Sequence, residues 1–173
     1  MDNFWRIVVD ILDNNVLMVS CLSWLIAQIL KTIINSVINK EFTISRLWGD
    51  GGMPSGHSAT VTAMALMTGF RCGFSSPVFG LAMVLAIIVM HDATGVRQEA
   101  GKHARSIIEL TEIFNEYIAE DDDELKLEKL KTLVGHTPLQ VVCGAGVGIV
   151  VVVLYLLITK DIDTLISFVP HVA

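Results

Sequence analysis

Cysteine is scarce and scattered. Cys21, Cys72 and Cys143 are the only three in the chain, and with neither a pairing pattern nor metal-ligand spacing they speak against a disulfide framework or structural zinc. Charge is thin as well: Asp, Glu, Lys and Arg make up 17% of the 173 residues, against 53% apolar residues. Together with a mean hydropathy of +0.61, that balance is too apolar for an ordinary soluble domain and predicts an integral membrane protein. The net charge is −6 and no basic stripe is present, which argues against a nucleic-acid partner. The opening Met1-Asp2-Asn3-Phe4-Trp5-Arg6 lacks a cationic region followed by a small-residue cleavage site, so it does not read as a cleaved signal peptide. Trp5 and Arg6 read instead as an interfacial anchor or short surface helix. No strand precedes Gly144, Gly146 and Gly148, which removes a nucleotide-binding glycine loop and leaves close helix packing.

What is present is long apolar sequence. The runs from about Asn14 to Ile38 and from Leu139 to Thr159 are each long enough to span a bilayer. Two shorter ones, roughly His57 to Phe70 and Pro77 to His91, are brief for a full crossing and call for shielding by neighbours, local thinning or partial insertion. The expected fold is all-α: a polytopic membrane helical bundle with about four membrane-embedded helices, residues 1–173 forming one domain. On four crossings, Lys40, Arg46, Arg97, Lys102, Arg105, Lys126, Lys129 and Lys131 share one side, with Arg6, Arg71 and Lys160 on the other. The positive-inside rule makes the first side cytoplasmic.

Apolar residues at Ile107, Leu110, Phe114, Tyr117 and Ile118 recur at helical spacing, predicting an amphipathic helix from Gln98 to Ala119. An acidic turn, Glu120-Asp121-Asp122-Asp123-Glu124, follows, and Leu125, Leu127, Leu130 and Leu133 suggest a returning helix. Residues 98–134 thus read as a cytoplasmic helical hairpin that covers a site or docks a partner subunit. The short second and third segments also leave room for a homo-oligomer.

The chemistry concentrates at two helix starts. In Gly51-Gly52-Met53-Pro54-Ser55-Gly56-His57-Ser58, a glycine-rich turn delivers a serine and a histidine to the first turn of an apolar helix, whose backbone N–H groups favour an anion. Ser55 is placed to cap, Gly56 allows close approach, and His57 can carry a proton near neutral pH. Alone, these residues are equally those of an ordinary N-cap. A second start of similar make-up, Gly135-His136-Thr137-Pro138-Leu139-Gln140, tips the balance towards an anion pocket. Lys31 lies inside a spanning segment with Gln28 one turn earlier on the same face, and there a cation is normally tied to a counter-charge, cavity or ligand. Snorkelling to the boundary is the alternative. His91-Asp92-Ala93-Thr94-Gly95-Val96-Arg97 brings Asp92 and Arg97 to the same face, either to orient an imidazole and grip phosphate or as a structural ion pair. His91 reads as a boundary residue, His103 and His171 as surface ones.

Pro54-Ser55-Gly56-His57 resembles the central motif of the type 2 phosphatidic acid phosphatase superfamily, which includes vanadium-dependent haloperoxidases. His136 followed by Gln140-Val141-Val142-Cys143-Gly144 resembles the end of its third motif. The set Gly52-Met53-Pro54-Ser55, Asp92-Ala93-Thr94-Gly95-Val96-Arg97 and Gly135-His136-Thr137-Pro138 is similar to a divergent branch labelled acid phosphatase/haloperoxidase-related membrane proteins, and the likeness runs from about Asn14 to Val153. The resemblance implies a helical, metal-independent phosphatase that needs no cofactor. His136 would be the nucleophile and His57 the general acid, while Lys31, Arg46, Ser55, Gly56 and Arg97 would hold the phosphoryl group. The chain departs from the pattern at three places: Lys31 and Arg46 are farther apart than the family's lysine and arginine, Val96 precedes Arg97, and Gln140 stands where the family has aspartate. Asp92 is the expected source of the missing carboxylate. The leading expectation is a phosphatase acting on a lipid phosphate or other amphiphilic phosphoester. A lipid-phosphate binding or transport protein and a structural membrane subunit are the alternatives.

Overall fold

In a computed structural model of the chain, the described residues are 2–40, 52–118 and 136–159. They form six helices: α1 (Asp2–Leu12), α2 (Asn15–Asn39), α3 (Gly56–Cys72), α4 (Pro77–Thr94), α5 (Val96–Ile118) and α6 (Pro138–Ile158). Arg46 and the returning arm of the expected hairpin, with Leu125 to Leu133, lie outside the described residues.

Four of the six helices start where the sequence supplies a cap. Asn14, Ser55, Ser76 and Thr137 accept from backbone N–H groups three residues on, opening α2, α3, α4 and α6, and proline occupies the first turn of α4 and α6. Gly95 alone separates α4 from α5. The amphipathic segment expected over 98–119 is α5, which starts two residues earlier.

Among the described residues, three helical stretches are long and apolar enough to cross a membrane: Asn15–Ile38, Pro77–Phe114 (which takes in α4 and much of α5) and Pro138–Ile158. The 17 residues of α3 reach only about 25 Å at ~1.5 Å per residue, and its surroundings explain how so short a segment is tolerated. α3 is the central helix, packed against α2, α4 and α6. One of its faces joins Val19, Val151, Val152 and Leu156 through Ala63 and Met67. Another joins Ala82 and Ala86 through Val61 and Ala65. Ala63, Ala65, Ala82 and Ala86 let the backbones approach at these contacts, as suits helices in lipid, which associate by close packing rather than by a hydrophobic drive.

The approach of α6 to α3 depends on two glycines. A Cβ on Gly148 would lie 2.6 Å from the Ala59 carbonyl oxygen, and one on Gly144 would collide with the Ser55 carbonyl, whereas Gly146 has open space around it. Gly148→Ala should therefore cost about 1–3 kcal/mol by overpacking. Gly146→Ala should cost nothing or gain up to about 1 kcal/mol from a stiffer chain. Thermal unfolding of the two variants in detergent checks the contrast; equal midpoints would show that the α3–α6 contact is loose.

Candidate active site

The turn before α3 is built around glycine. Gly52 has φ +103°, a region that side chains rarely adopt, and a Cβ there would lie 3.3 Å from Cγ of Lys31. The stem of Lys31 thus lies along the turn, and the residue is only 5% exposed. The Met53–Pro54 peptide is cis.

Ser55 is completely buried, and its groups are used for construction. Its Oγ accepts from the Ser58 N–H at 3.3 Å and from the Ser58 hydroxyl at 3.0 Å. Its own N–H donates to the Gln140 carbonyl at 3.0 Å, joining the amino-terminal ends of α3 and α6. Those two ends carry the histidines. His57, on the first turn of α3, is exposed, while His136, two residues before α6, is 3% exposed. The ring centroids lie 6.3 Å apart. The His136 N–H donates to the Ala93 carbonyl at 2.9 Å, so the end of α4 meets the same place.

Gln140 has two tasks beyond its backbone contact. Its Oε1 accepts from the Thr137 N–H at 3.1 Å, completing a capping box with the Thr137 hydroxyl. The same oxygen lies 3.1 Å from Nδ1 of His136. An amide oxygen can only accept, so Nδ1 carries the proton and Nε2 presents its lone pair. Burial holds the His136 pKa below the ordinary value, the bond to Gln140 opposes that, and the positive fields of Lys31, His57 and Arg97 lower it further. A neutral imidazole at neutral pH follows, with three basic side chains near enough to act on it.

Asp92 and Arg97 meet each other, Oδ2 to Nε at 2.7 Å, both about half exposed. Nδ1 of His136 is held by Gln140, and the Asp92 carboxylate sits on Arg97. Gly56 opens α3 beside α2: a Cβ on it would lie 3.2 Å from Cδ1 of Trp24 and 3.8 Å from Cδ of Gln28. Trp24 was not singled out by sequence, although it stands with Gln28 and Lys31 at i, i+4 and i+7, one stripe of α2 facing the turn. Among the described residues no cluster of His, Cys, Asp and Glu could hold a metal ion.

The sequence profile of the Divergent PAP2 family matches residues 12–151. The chain belongs to that family. An uncharacterised membrane protein of Bacillus subtilis (strain 168), YuiD, is 36% identical over 146 residues, covering 81% of this chain and 92% of that protein. No solved structure gives a significant match. The family match takes in α2 to α5 and most of α6, and with them every residue of the site described above. Membership in the family, the membrane-protein relative and the three apolar helices make this an integral membrane protein of PAP2-related, all-helical fold.

Histidine-selective NMR of the labelled protein should find His136 titrating below the ordinary value of 6.5, with Nδ1 as the protonated nitrogen of the neutral ring. Gln140→Leu should lower that midpoint further, because it removes the bond that favours the imidazolium, and Gln140→Glu should raise it by adding a negative charge. A wild-type midpoint at or above 6.5 would contradict the buried, amide-oriented imidazole.

Proposed function

We propose that the protein is a membrane phosphatase that removes the phosphoryl group from a lipid phosphate or other amphiphilic phosphoester, through a phosphohistidine. The observation that carries this reading is the convergence of His57 and His136 at 6.3 Å, with the buried ring oriented by Gln140. Rings at that separation are close enough for one phosphoryl group to reach both. Nε2 of His136 attacks phosphorus, the bond to the ester oxygen breaks, and His57 gives that oxygen a proton. Water then attacks the phosphohistidine, His57 takes the water's proton, and phosphate leaves with His136 neutral again. The Lys31 ammonium, the Arg97 guanidinium and the first-turn N–H groups of α3 stabilise the charge on the transferring oxygens. Ser55 contributes by holding the two helix ends together.

The excess of Lys and Arg in the loops on the site's side supports a cytoplasmic mouth, where a phosphate head enters and its tail remains in lipid. One observation favours a second reading, a lipid-phosphate binder or transporter with little turnover. Gln140 orients the imidazole yet cannot neutralise an imidazolium, so the phosphoenzyme is costlier here than with a carboxylate at that position.

Phosphate release from a panel of lipid phosphates, with chelator present, distinguishes the two. As a phosphatase, the protein loses all turnover with His136→Ala and about 10²–10⁴-fold with His57→Ala, and Gln140→Asp raises the rate. Saturable binding without release in the wild type, together with no gain in Gln140→Asp, would reject the phosphatase and leave the binder.

A further inference from the structure

The face that α2 buries is rich in polar groups: Ser20, Ser23, Gln28, Lys31 and Thr32 are each at most 5% exposed. The three hydroxyls satisfy themselves on their own helix, donating to the carbonyls of Val16, Val19 and Gln28 at 2.6, 2.9 and 2.9 Å. Gln28 differs. Its Oε1 is buried and has no hydrogen-bond partner among the described residues, and its amide carbon lies against Gly56, at the amino-terminal mouth of α3. Lys31 stands one turn farther along the same stripe. A buried acceptor is expensive to leave without a donor, and the neighbouring first-turn N–H groups of α3 draw in an anion. An occupant that meets both demands is an anion bearing an O–H.

We infer that Gln28 is a specificity residue of the phosphate pocket, its Oε1 accepting from the P–OH of a singly protonated phosphomonoester and so favouring monoesters over diesters. Inorganic phosphate and a phosphomonoester lipid share this donor. A diester lacks it. The inference extends the pocket of the proposed phosphatase to α2 but concerns binding alone, so it stands or falls separately from turnover.

The test measures binding to the purified full chain in detergent near pH 6, where roughly half of a phosphomonoester carries the proton. Probes are inorganic phosphate, phosphatidic acid and dimethyl phosphate, offered to wild type, His136→Ala and Gln28→Met, a substitution that keeps the length and apolar stem and removes the acceptor. Gln28→Met should bind inorganic phosphate and phosphatidic acid about tenfold more weakly, the scale of one hydrogen bond to a charged group, with dimethyl phosphate unchanged. Its unfolding midpoint without ligand should equal or exceed that of wild type, while its phosphate-induced rise shrinks. Equal loss for monoesters and diester, or no loss for either, would overturn the inference, as would an undiminished phosphate-induced rise. If wild type binds monoesters in this Gln28-dependent way yet releases no phosphate, and His136→Ala binds likewise, the specificity role holds and the phosphatase reading fails.

Discussion

The site depends on one backbone hydrogen bond, from the Ser55 N–H to the Gln140 carbonyl, made where two helix amino termini meet. It exists only because Gly144 puts no side chain against the Ser55 carbonyl. The bond fixes the relative height of α3 and α6, and since His57 lies two residues after Ser55 and His136 four before Gln140, it also fixes the separation of the imidazoles. Gly148, one turn farther along α6 against Ala59, continues the same close approach. Packing in the bundle and spacing in the site are therefore a single constraint: a methyl group at the glycine seam acts on the histidines without touching either.

Gln140 concentrates several functions in one residue. Its carbonyl takes the Ser55 bond, and its amide oxygen closes the cap on α6 and holds Nδ1 of His136. An aspartate at this position would have a shorter side chain to divide between the last two. The glutamine gains a rigid, tautomer-defined imidazole and gives up negative charge, so His136 is held neutral by burial and by the surrounding cations. The Asp92 carboxylate, the expected source of that charge, is engaged at 2.7 Å by Arg97. Its visible effect is to hold the guanidinium near the mouth by Nε, leaving the terminal amino groups for other acceptors.

Much of this was legible in the sequence, for identifiable reasons. Caps are local, so Ser55 before an apolar run and Thr137-Pro138 before another mark helix starts without knowledge of the fold, and a histidine beside each start points to a shared mouth. Intramembrane charge is costly, so Lys31 stood out as soon as its segment read as a span. The glycines of α6 read as a packing seam, but which of them touch α3 is a matter of helical phase: Gly144 and Gly148 face it, and Gly146 does not. Trp24 carried no signal, because an aromatic residue in an apolar helix is ordinary until the Gly56 surface opposite it is known. The Asp92–Arg97 pair was readable as chemistry or as structure, and only the distance between them shows that they hold each other. Arg46 lies outside the described residues.

The electrostatics of the mouth gives a reason for the whole arrangement. The amino-terminal ends of α3 and α6 each present a partial positive charge, and they are brought together at Ser55 and Gln140 beside the buried Lys31 and within the field of Arg97. Like charges gathered in a poorly solvated place repel one another more than they would in water. The end of α4, meeting His136 through the Ala93 carbonyl, offsets part of this with the negative pole of its own dipole, and Asp92 offsets part of Arg97. What is left is positive, held in place by apolar packing several turns deep along α3, and unable to relax by moving apart. An anion is the occupant that lowers this energy, and the more negative the occupant becomes the more it gains. A phosphoryl group gathering charge on its oxygens during transfer is favoured at such a place over the ground state that preceded it. On the proposed phosphatase reading, the repulsion gathered between two helix ends is thus the natural source of transition-state stabilisation at a site where the amide of Gln140, not a carboxylate, holds the His136 imidazole.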